Sequence, residues 1–365
     1  MLYSGNTRSE VIMFRTISIF GGGSTGHAAA AYFTLKGFEI TLCDNEEFAH
    51  RFQAIRDSGG ILLRGKERGF APIHRVTHDF AAAAASGDLL IISVVACRHE
   101  EIARLIAPHL HDGQHILISP GNLGSFVFRK VFAELGVTAD VTLAELEGNL
   151  FPARLTGGAE ATVGMPFRAK SFAALPASDN QRVIDAYAGC IEMAPCVNVF
   201  DCAINSNNFV THLGATILSA CSIDQKGSKF NLFTDGLTPA SIRLAELASE
   251  ERRRVIAAMG YEEHSDPMIH MNRLLDPEHN PQLDVFLTLD GPYDTAHRYL
   301  TEDGLCAGAF AVSVARRLGV SVPLLEALVV MAGQLNGQDY LAHGRTLENL
   351  GYPPNLSLPQ IIETL

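Results

Sequence analysis

The stretch TISIFGGGSTGHAAAAYF, Thr16 to Phe33, decides the fold. A β-branched apolar run enters a knot of glycines and leaves as an alanine-rich helix. Gly21, Gly23 and Gly26 fall in the spacing G-x-G-x-x-G. The first permits a tight turn off the strand, the second lets a pyrophosphate approach a backbone without a Cβ, and the third lets helix and strand pack closely. The helix, expected over residues 24–35, opens with Ser24 and Thr25 and aims free N–H groups and a positive dipole end at an anion. The second strand, FEITLCD, ends at Asp44, eighteen positions beyond Gly26. A carboxylate there suits the ribose hydroxyls of an adenosine half and repels a 2′-phosphate. Asn45, Glu46 and Glu47 add no neighbouring cation in sequence. A glycine motif alone is a weak signal. With strand, loop, helix, strand and acid in order, it specifies dinucleotide binding, with NAD as the expected cofactor and NADP as the alternative.

Working outward, strand and helix keep alternating. GILLRG and APIHRVTHD read as a pair of short strands before a helix over 80–85. DLLIISVV, from Asp88 to Val95, is apolar throughout, as a central parallel strand should be. A helix is expected over 97–110, then a buried strand, HILISPGN, ending at Asn122. Ligands of open α/β sheets lie at the carboxyl ends of strands, so Val95 and Asn122 are expected to border the cofactor. DVTLAELEGNLFPARL reads as one more strand and a polar loop carrying Glu147, Asn149 and Arg154 on the ligand side. Taken singly, each of the three reads more readily as a surface residue than a catalytic one. Beyond Val199 helical spacing replaces strand signals. Helices are expected over 241–259, with Glu250, Glu251 and Arg252 to Arg254 on a solvated face, over 303–318 and over 323–336. The fold class is therefore α/β: a tail (1–13), a Rossmann domain with a doubly wound parallel sheet (14–199) and an all-α C-terminal domain (200–365).

Composition agrees. The chain has 365 residues, 47% hydrophobic, enough for two domains with cores. A net charge of −12 argues against a broad nucleic-acid surface. Seven cysteines without a CxxC pair fit reduced thiols in a cytoplasmic protein, with no metal site expected. No apolar run reaches membrane-spanning length, and the first dozen residues lack the apolar core of a secretion signal. The expected partners are small molecules, not nucleic acid or membrane, and a homodimer is left open.

A site between the two domains needs a proton donor or acceptor beside the reacting carbon, commonly a histidine whose tautomer a carboxylate fixes. His212 lies in an apolar helix, with Asn208 one turn earlier on the same face. A histidine so placed is usually a packed core residue. The second relevant stretch is LDGPYDTAHRYLTEDGLCAG, residues 289–308. It offers Arg298, whose planar fork suits a carboxylate, and Asp303, expected at a helix N-terminus where the dipole favours its charge. The bland reading makes Asp303 an N-cap and Arg298 a surface charge.

These motifs resemble the octopine/nopaline (opine) dehydrogenase family over nearly the whole chain. The resemblance rests on the glycine motif, on Asn208 and His212, and on Gly291-Pro292 through Arg298-Tyr299-x-x-Glu302-Asp303. The family's prolines after the asparagine and the histidine are replaced here by Phe209 and Leu213. The resemblance implies reductive condensation of an amino acid's amine with a 2-oxo acid such as pyruvate, using NADH or NADPH. It further implies His212 as acid/base, Asp303 as its partner, and Arg298 and Asn208 as substrate binders. Two other functions compete. One is a reductase of the ketopantoate or glycerol-3-phosphate type, acting on CH–OH and usually relying on a lysine at the start of the helical domain, where Lys226 and Lys229 are the candidates. The other is a non-catalytic NAD-binding sensor.

Overall fold

The computed structural model describes residues 15–365 except 277, 281–282, 284–285 and 288–290, so the expected tail over 1–13 lies outside the described residues. The strands are β1 (Thr16–Phe20), β2 (Glu39–Cys43), β3 (Ile61–Gly65), β4 (Gly69–Ala71), β5 (Arg75–Thr77), β6 (Leu89–Ile92), β7 (His115–Ile118), β8 (Thr142–Leu146), β9 (Ala153–Gly157), β10 (Glu160–Val163), β11 (Lys170–Ala174) and β12 (Met193–Pro195). The main sheet has eight strands in the order β12-β11-β8-β7-β6-β1-β2-β5. From β1 the chain winds outward through β2 and β5, then returns to the other side of β1 with β6, β7 and β8, all parallel. The strand order therefore reverses between β1 and β6, where such sheets open a ligand crevice. At the far edge, β11 pairs antiparallel with β8. Every residue of β6 and β7 is buried, which explains why their sequences lack alternation.

The two short strands expected before residue 80, β3 and β5, belong to different sheets. β5 joins the edge of the main sheet beside β2, whereas β3 and β4 form a four-stranded sheet with β10 and β9, in the order β4-β3-β10-β9. That second sheet was hidden because β3 pairs with β10, about a hundred residues away. Arg154, expected in a loop, lies on β9.

Beyond β12 the described residues are helical apart from their connections. The helix Asn208–Leu218 buries Phe209, Val210 and Leu213 in a core shared with Phe310, Val314, Leu325 and Val329. The helix Pro239–Ala258 starts at a capping box between Thr238 and Ser241, with proline at its first turn. Its expected solvated face is only partly so. Arg252 is fully buried, and its guanidinium donates to Asn205 O (3.3 Å), Ser206 O (3.2 Å), Asn207 Oδ1 (2.7 Å) and Glu263 Oε1 (2.7 Å). Glu251 is buried too, accepting from the N–H groups of Leu324 (3.2 Å) and Leu325 (2.8 Å) at the start of the helix Pro323–Leu335. Both residues satisfy backbone groups of distant segments, which no local pattern announces. The helix expected over 303–318 is in fact a short turn, Arg298–Thr301, a π-helical turn, Gly304–Gly308, and a regular helix, Ala309–Leu318.

Candidate active site

The glycine loop takes the expected shape. Gly21 has φ +118°, and a Cβ there would strike the Ser93 carbonyl. A Cβ on Gly26 would strike the Gly21 carbonyl, so the helix Ser24–Leu35 can sit against the strand only without one. At Gly23 a Cβ would meet no protein atom within 4 Å, so the demand for glycine there comes from the ligand side. No side chain caps that helix, and Gly23, Ser24 and Thr25 line a cleft of about 710 Å³. The free N–H groups at this end fit a pyrophosphate.

Asp44 is buried at the end of β2. Its Oδ2 accepts from Gly22 N (2.6 Å), and its Oδ1 accepts from Asn45 N (2.9 Å) and from an Arg98 guanidinium N–H (3.1 Å). Arg51 donates to Gly22 O (3.3 Å). Two cations thus flank Asp44 and the glycine loop, although none follows Asp44 in sequence. Val95 lines the cleft, but Asn122 does not. The Asn122 amide instead donates to Glu302 Oε1 (2.7 Å).

The helical half supplies the opposite wall with Asn208, His212, His297, Arg298, Tyr299 and Glu302. His212 Nδ1 lies 2.7 Å from Asp303 Oδ2, across 91 positions of sequence. A carboxylate partner assigns the proton to Nδ1 and leaves Nε2 for a substrate. The ring stacks on Tyr299, with centroids 3.8 Å apart. Asp303 has no exposed surface, and its Oδ1 has no hydrogen-bond partner among the described residues. Asp303 stands at the N-terminus of a π-helical turn and not of a regular helix: Asp303 N donates to Arg298 O (3.1 Å) and Gly308 N to Asp303 O (2.8 Å). These five-residue spacings are π-helical, and a π turn changes the direction in which a side chain leaves the helix.

Arg298 NH1 lies 3.7 Å from Glu302 Oε1, and its guanidinium sits 5.4 Å from the Tyr299 ring centre. Glu302 is buried, and burial pushes its carboxyl above the usual range. His297 hydrogen-bonds Tyr299 N through Nδ1 (3.3 Å), and burial pushes its ring down to about 3, so it is neutral. Burial also lowers Lys170 to about 8. Its ammonium lies 5.1 Å from the Phe167 ring centre and has no carboxylate within 4 Å among the described residues. Arg154 reaches Tyr299 Oη (3.4 Å). Lys170, Arg154 and Asn149 line the cleft, whereas Glu147 does not. Sequence reasoning did not assign Glu302, Lys170, Arg98 or Arg51 to the site, although Glu302 stood beside Asp303 in the motif, and it placed Arg154 on the ligand side while favouring a surface role for it.

Comparison with known proteins gives the same picture for both halves. Residues 195–336 match the family described as NAD/NADP octopine/nopaline dehydrogenase, alpha-helical domain, and residues 17–120 match ketopantoate reductase PanE/ApbA. An opine dehydrogenase of Arthrobacter sp. (strain 1C) is 30% identical over 356 residues, covering 93% of this chain and 96% of its own. A vitopine synthase of Allorhizobium ampelinum is 26% identical over 152 residues, 40% of this chain and 42% of its own. In fold, the chain resembles an octopine dehydrogenase solved with NADH and L-arginine, with a TM-score of 0.70, 17% identity, and coverage of 95% of this chain and 97% of that one.

Proposed function

The chain belongs to the opine dehydrogenase family, and we propose that it condenses the amine of an amino acid with a 2-oxo acid such as pyruvate and reduces the product with NADH. It is an NAD-dependent oxidoreductase acting on CH–NH bonds. Reduced nicotinamide supplies the hydride that converts the C=N bond to an amine.

The observation that carries this reading is the His212–Asp303 pair facing the cleft that the glycine loop also lines. In the proposed mechanism Asp303 holds the Nδ1 proton and stabilises the imidazolium. His212 Nε2 takes a proton from the donor's ammonium, which frees the amine to add to the 2-oxo carbon, and returns one to the departing hydroxyl as water leaves. Arg298 binds the carboxylate of the 2-oxo acid, with Asn208 beside it on the cleft wall. Lys170 and Arg154, on the opposite wall and without an ion pair among the described residues, receive the carboxylate of the amine donor. Gly21, Gly23, Gly26, Ser24 and Thr25 would hold the nucleotide, with Asp44 meeting its ribose and Val95 bordering its nicotinamide.

We divide the chain functionally into a nucleotide unit over 14–199 and a catalytic unit over 200–365. The last strand of the main sheet ends at Pro195, and the next helix starts at Val199. We place the reaction in the cytoplasm because all seven cysteines are free, as a reducing compartment keeps them. No helix of the described residues is long and apolar enough to cross a membrane.

The match of residues 17–120 to ketopantoate reductase supports a second reading, reduction of a carbonyl without an amine. Against it, Lys226 is paired with Asp235 (2.8 Å), and neither Lys226 nor Lys229 lines the cleft. One experiment separates the two: NADH oxidation with pyruvate, with and without a panel of amino acids, and products read by mass spectrometry. Oxidation that needs both substrates and yields a secondary amine supports condensation. Oxidation with a 2-oxo acid alone, giving a hydroxy acid, would sink it.

A further inference from the structure

Away from the cleft, Glu147, Cys196 and His264 bring a carboxylate oxygen, a thiol sulfur and a ring nitrogen within 4.8 Å of one another. None of the three lines the cleft. Glu147 follows β8, Cys196 follows β12, and His264 lies in the segment after the helix Pro239–Ala258. The cluster therefore stands where the sheet meets the helical half.

We propose that Glu147, Cys196 and His264 form a binding site for a zinc-class divalent cation, with a fourth position on the solvent side. The donors decide the class. A thiolate is a poor ligand for magnesium or calcium, whereas sulfur, imidazole nitrogen and one carboxylate are the ligand set of zinc and its neighbours. Access differs around the cluster. Cys196 is 6% exposed, but the His264 and Glu147 side chains are 25% and 16% exposed, so a hydrated ion can reach them.

The surroundings hold the donors in place. His264 Nδ1 faces Glu147 Oε2 at 2.7 Å, while Nε2 faces Asp201 Oδ2 at 3.3 Å. An imidazole that binds metal through one nitrogen commonly gives its other N–H to a carboxylate, which fixes the ring and raises its basicity. Asp201 is itself fixed, accepting from Val197 N (2.8 Å) and Asn205 Nδ2 (2.9 Å). His264 N donates to Asn205 Oδ1 (2.9 Å), which sets the backbone carrying the ring. On binding, the thiol loses its proton and the ring loses the one on its ligating nitrogen; the metal takes their place. The bound ion would join the ends of β8 and β12 to the helical half.

The test uses the full chain, stripped with a chelator and titrated with Zn²⁺ against a chromophoric competitor. One zinc per chain is expected. Asp201→Asn should weaken binding about tenfold, and Cys196→Ser and Glu147→Gln by at least that much. With Co²⁺, the wild-type chain should show a thiolate-to-metal charge-transfer absorption that Cys202→Ser keeps and Cys196→Ser loses. NADH binding and melting temperature establish that each variant is folded. If Cys196→Ser fails that check, Glu147→Gln and the cobalt spectrum of the wild type decide. A wild-type chain that takes up no zinc at micromolar metal overturns the assignment. So does a folded Cys196→Ser or Glu147→Gln chain that binds zinc with wild-type stoichiometry and affinity.

Discussion

Glu302 Oε1 lies 2.7 Å from Asn122 Nδ2, a buried hydrogen bond between residues 180 positions apart. Glu302 Oε2 accepts from Ala96 N at 3.3 Å. One carboxylate thus holds the loops after β6 and β7 against the segment that carries Asp303. Arg345 adds a second clamp on the same loops, donating to the carbonyls of Ala96 and Asn122. Replacing Glu302 by Gln sets an amide donor against one of the two N–H donors. An unsatisfied buried donor costs about 1–3 kcal/mol. Glu302→Gln should therefore lower the melting temperature and raise the KM for NADH. An unchanged melting temperature and KM would remove the clamp.

The His212–Asp303 pair predicts a large loss of turnover with little loss of fold. A general acid/base contributes on the order of 10²–10⁴ in rate. His212→Ala should lose kcat in that range while still binding NADH. Asp303→Asn should also lose turnover, because an amide no longer fixes the Nδ1–H tautomer of the ring. A packed core histidine predicts the reverse: a less stable protein with near-normal turnover in the folded fraction.

Cofactor choice rests on Asp44, with Arg98 beside it. NADH should be preferred over NADPH by at least about tenfold, or ~1.4 kcal/mol. Asp44→Ala should narrow or invert that preference, because it removes the repulsion and releases the Arg98 guanidinium, now 3.1 Å from the carboxylate, to meet a 2′-phosphate. Steady-state kinetics with both cofactors checks this. Wild-type enzyme that uses NADPH better than NADH would contradict it.

Lys170 is expected to give an alkaline limb to the pH dependence. Burial disfavours its charged form and lowers its pKa from 10.5 to about 8. Below pH 8 the ammonium is present to bind the amine donor's carboxylate; as pH rises through 8 it is lost. The kcat/KM for the amine donor should fall on that limb. Lys170→Arg should remove the limb, because the guanidinium stays charged, and Lys170→Met should raise KM at every pH. The kcat/KM profile of Lys170→Arg decides, and an unchanged limb in that variant assigns it to another group.

Arg298→Lys keeps the charge and loses the planar fork. We expect a raised KM for the 2-oxo acid, with little change in NADH affinity. An unchanged oxo-acid KM would leave this arginine a structural role only.

The nucleotide half was largely legible in sequence because its signals are local. The helix Ser24–Leu35, the strands β1 and β6 and the glycine loop each follow from a few adjacent residues. The dyad residues were also legible, but only as candidates, since spacing along a chain cannot say that two helices meet. What escaped was long-range. The β3–β10 pairing, the Asn122–Glu302 bond and the Arg98–Asp44 contact join segments whose own patterns are unremarked. Arg252 and Glu251 sat in a charged run that looks solvated until their backbone partners are known. The π turn at Gly304–Gly308, which follows Asp303 directly, has no sequence signature.

Arg252 has a consequence for the helix that carries His212. No proline stands between Asn205 and Leu213. The bend that leads into His212 is gathered instead by one guanidinium, which draws together Asn205 O, Ser206 O, Asn207 Oδ1 and Glu263 Oε1. A pyrrolidine ring stiffens a chain in every state it visits; an ionic knot stiffens it only once folding has brought the strands of the knot together. The approach to the histidine is therefore rigid in the native protein and loose in the nascent chain, and its stiffness is a property of tertiary assembly, inherited through a residue some forty positions downstream.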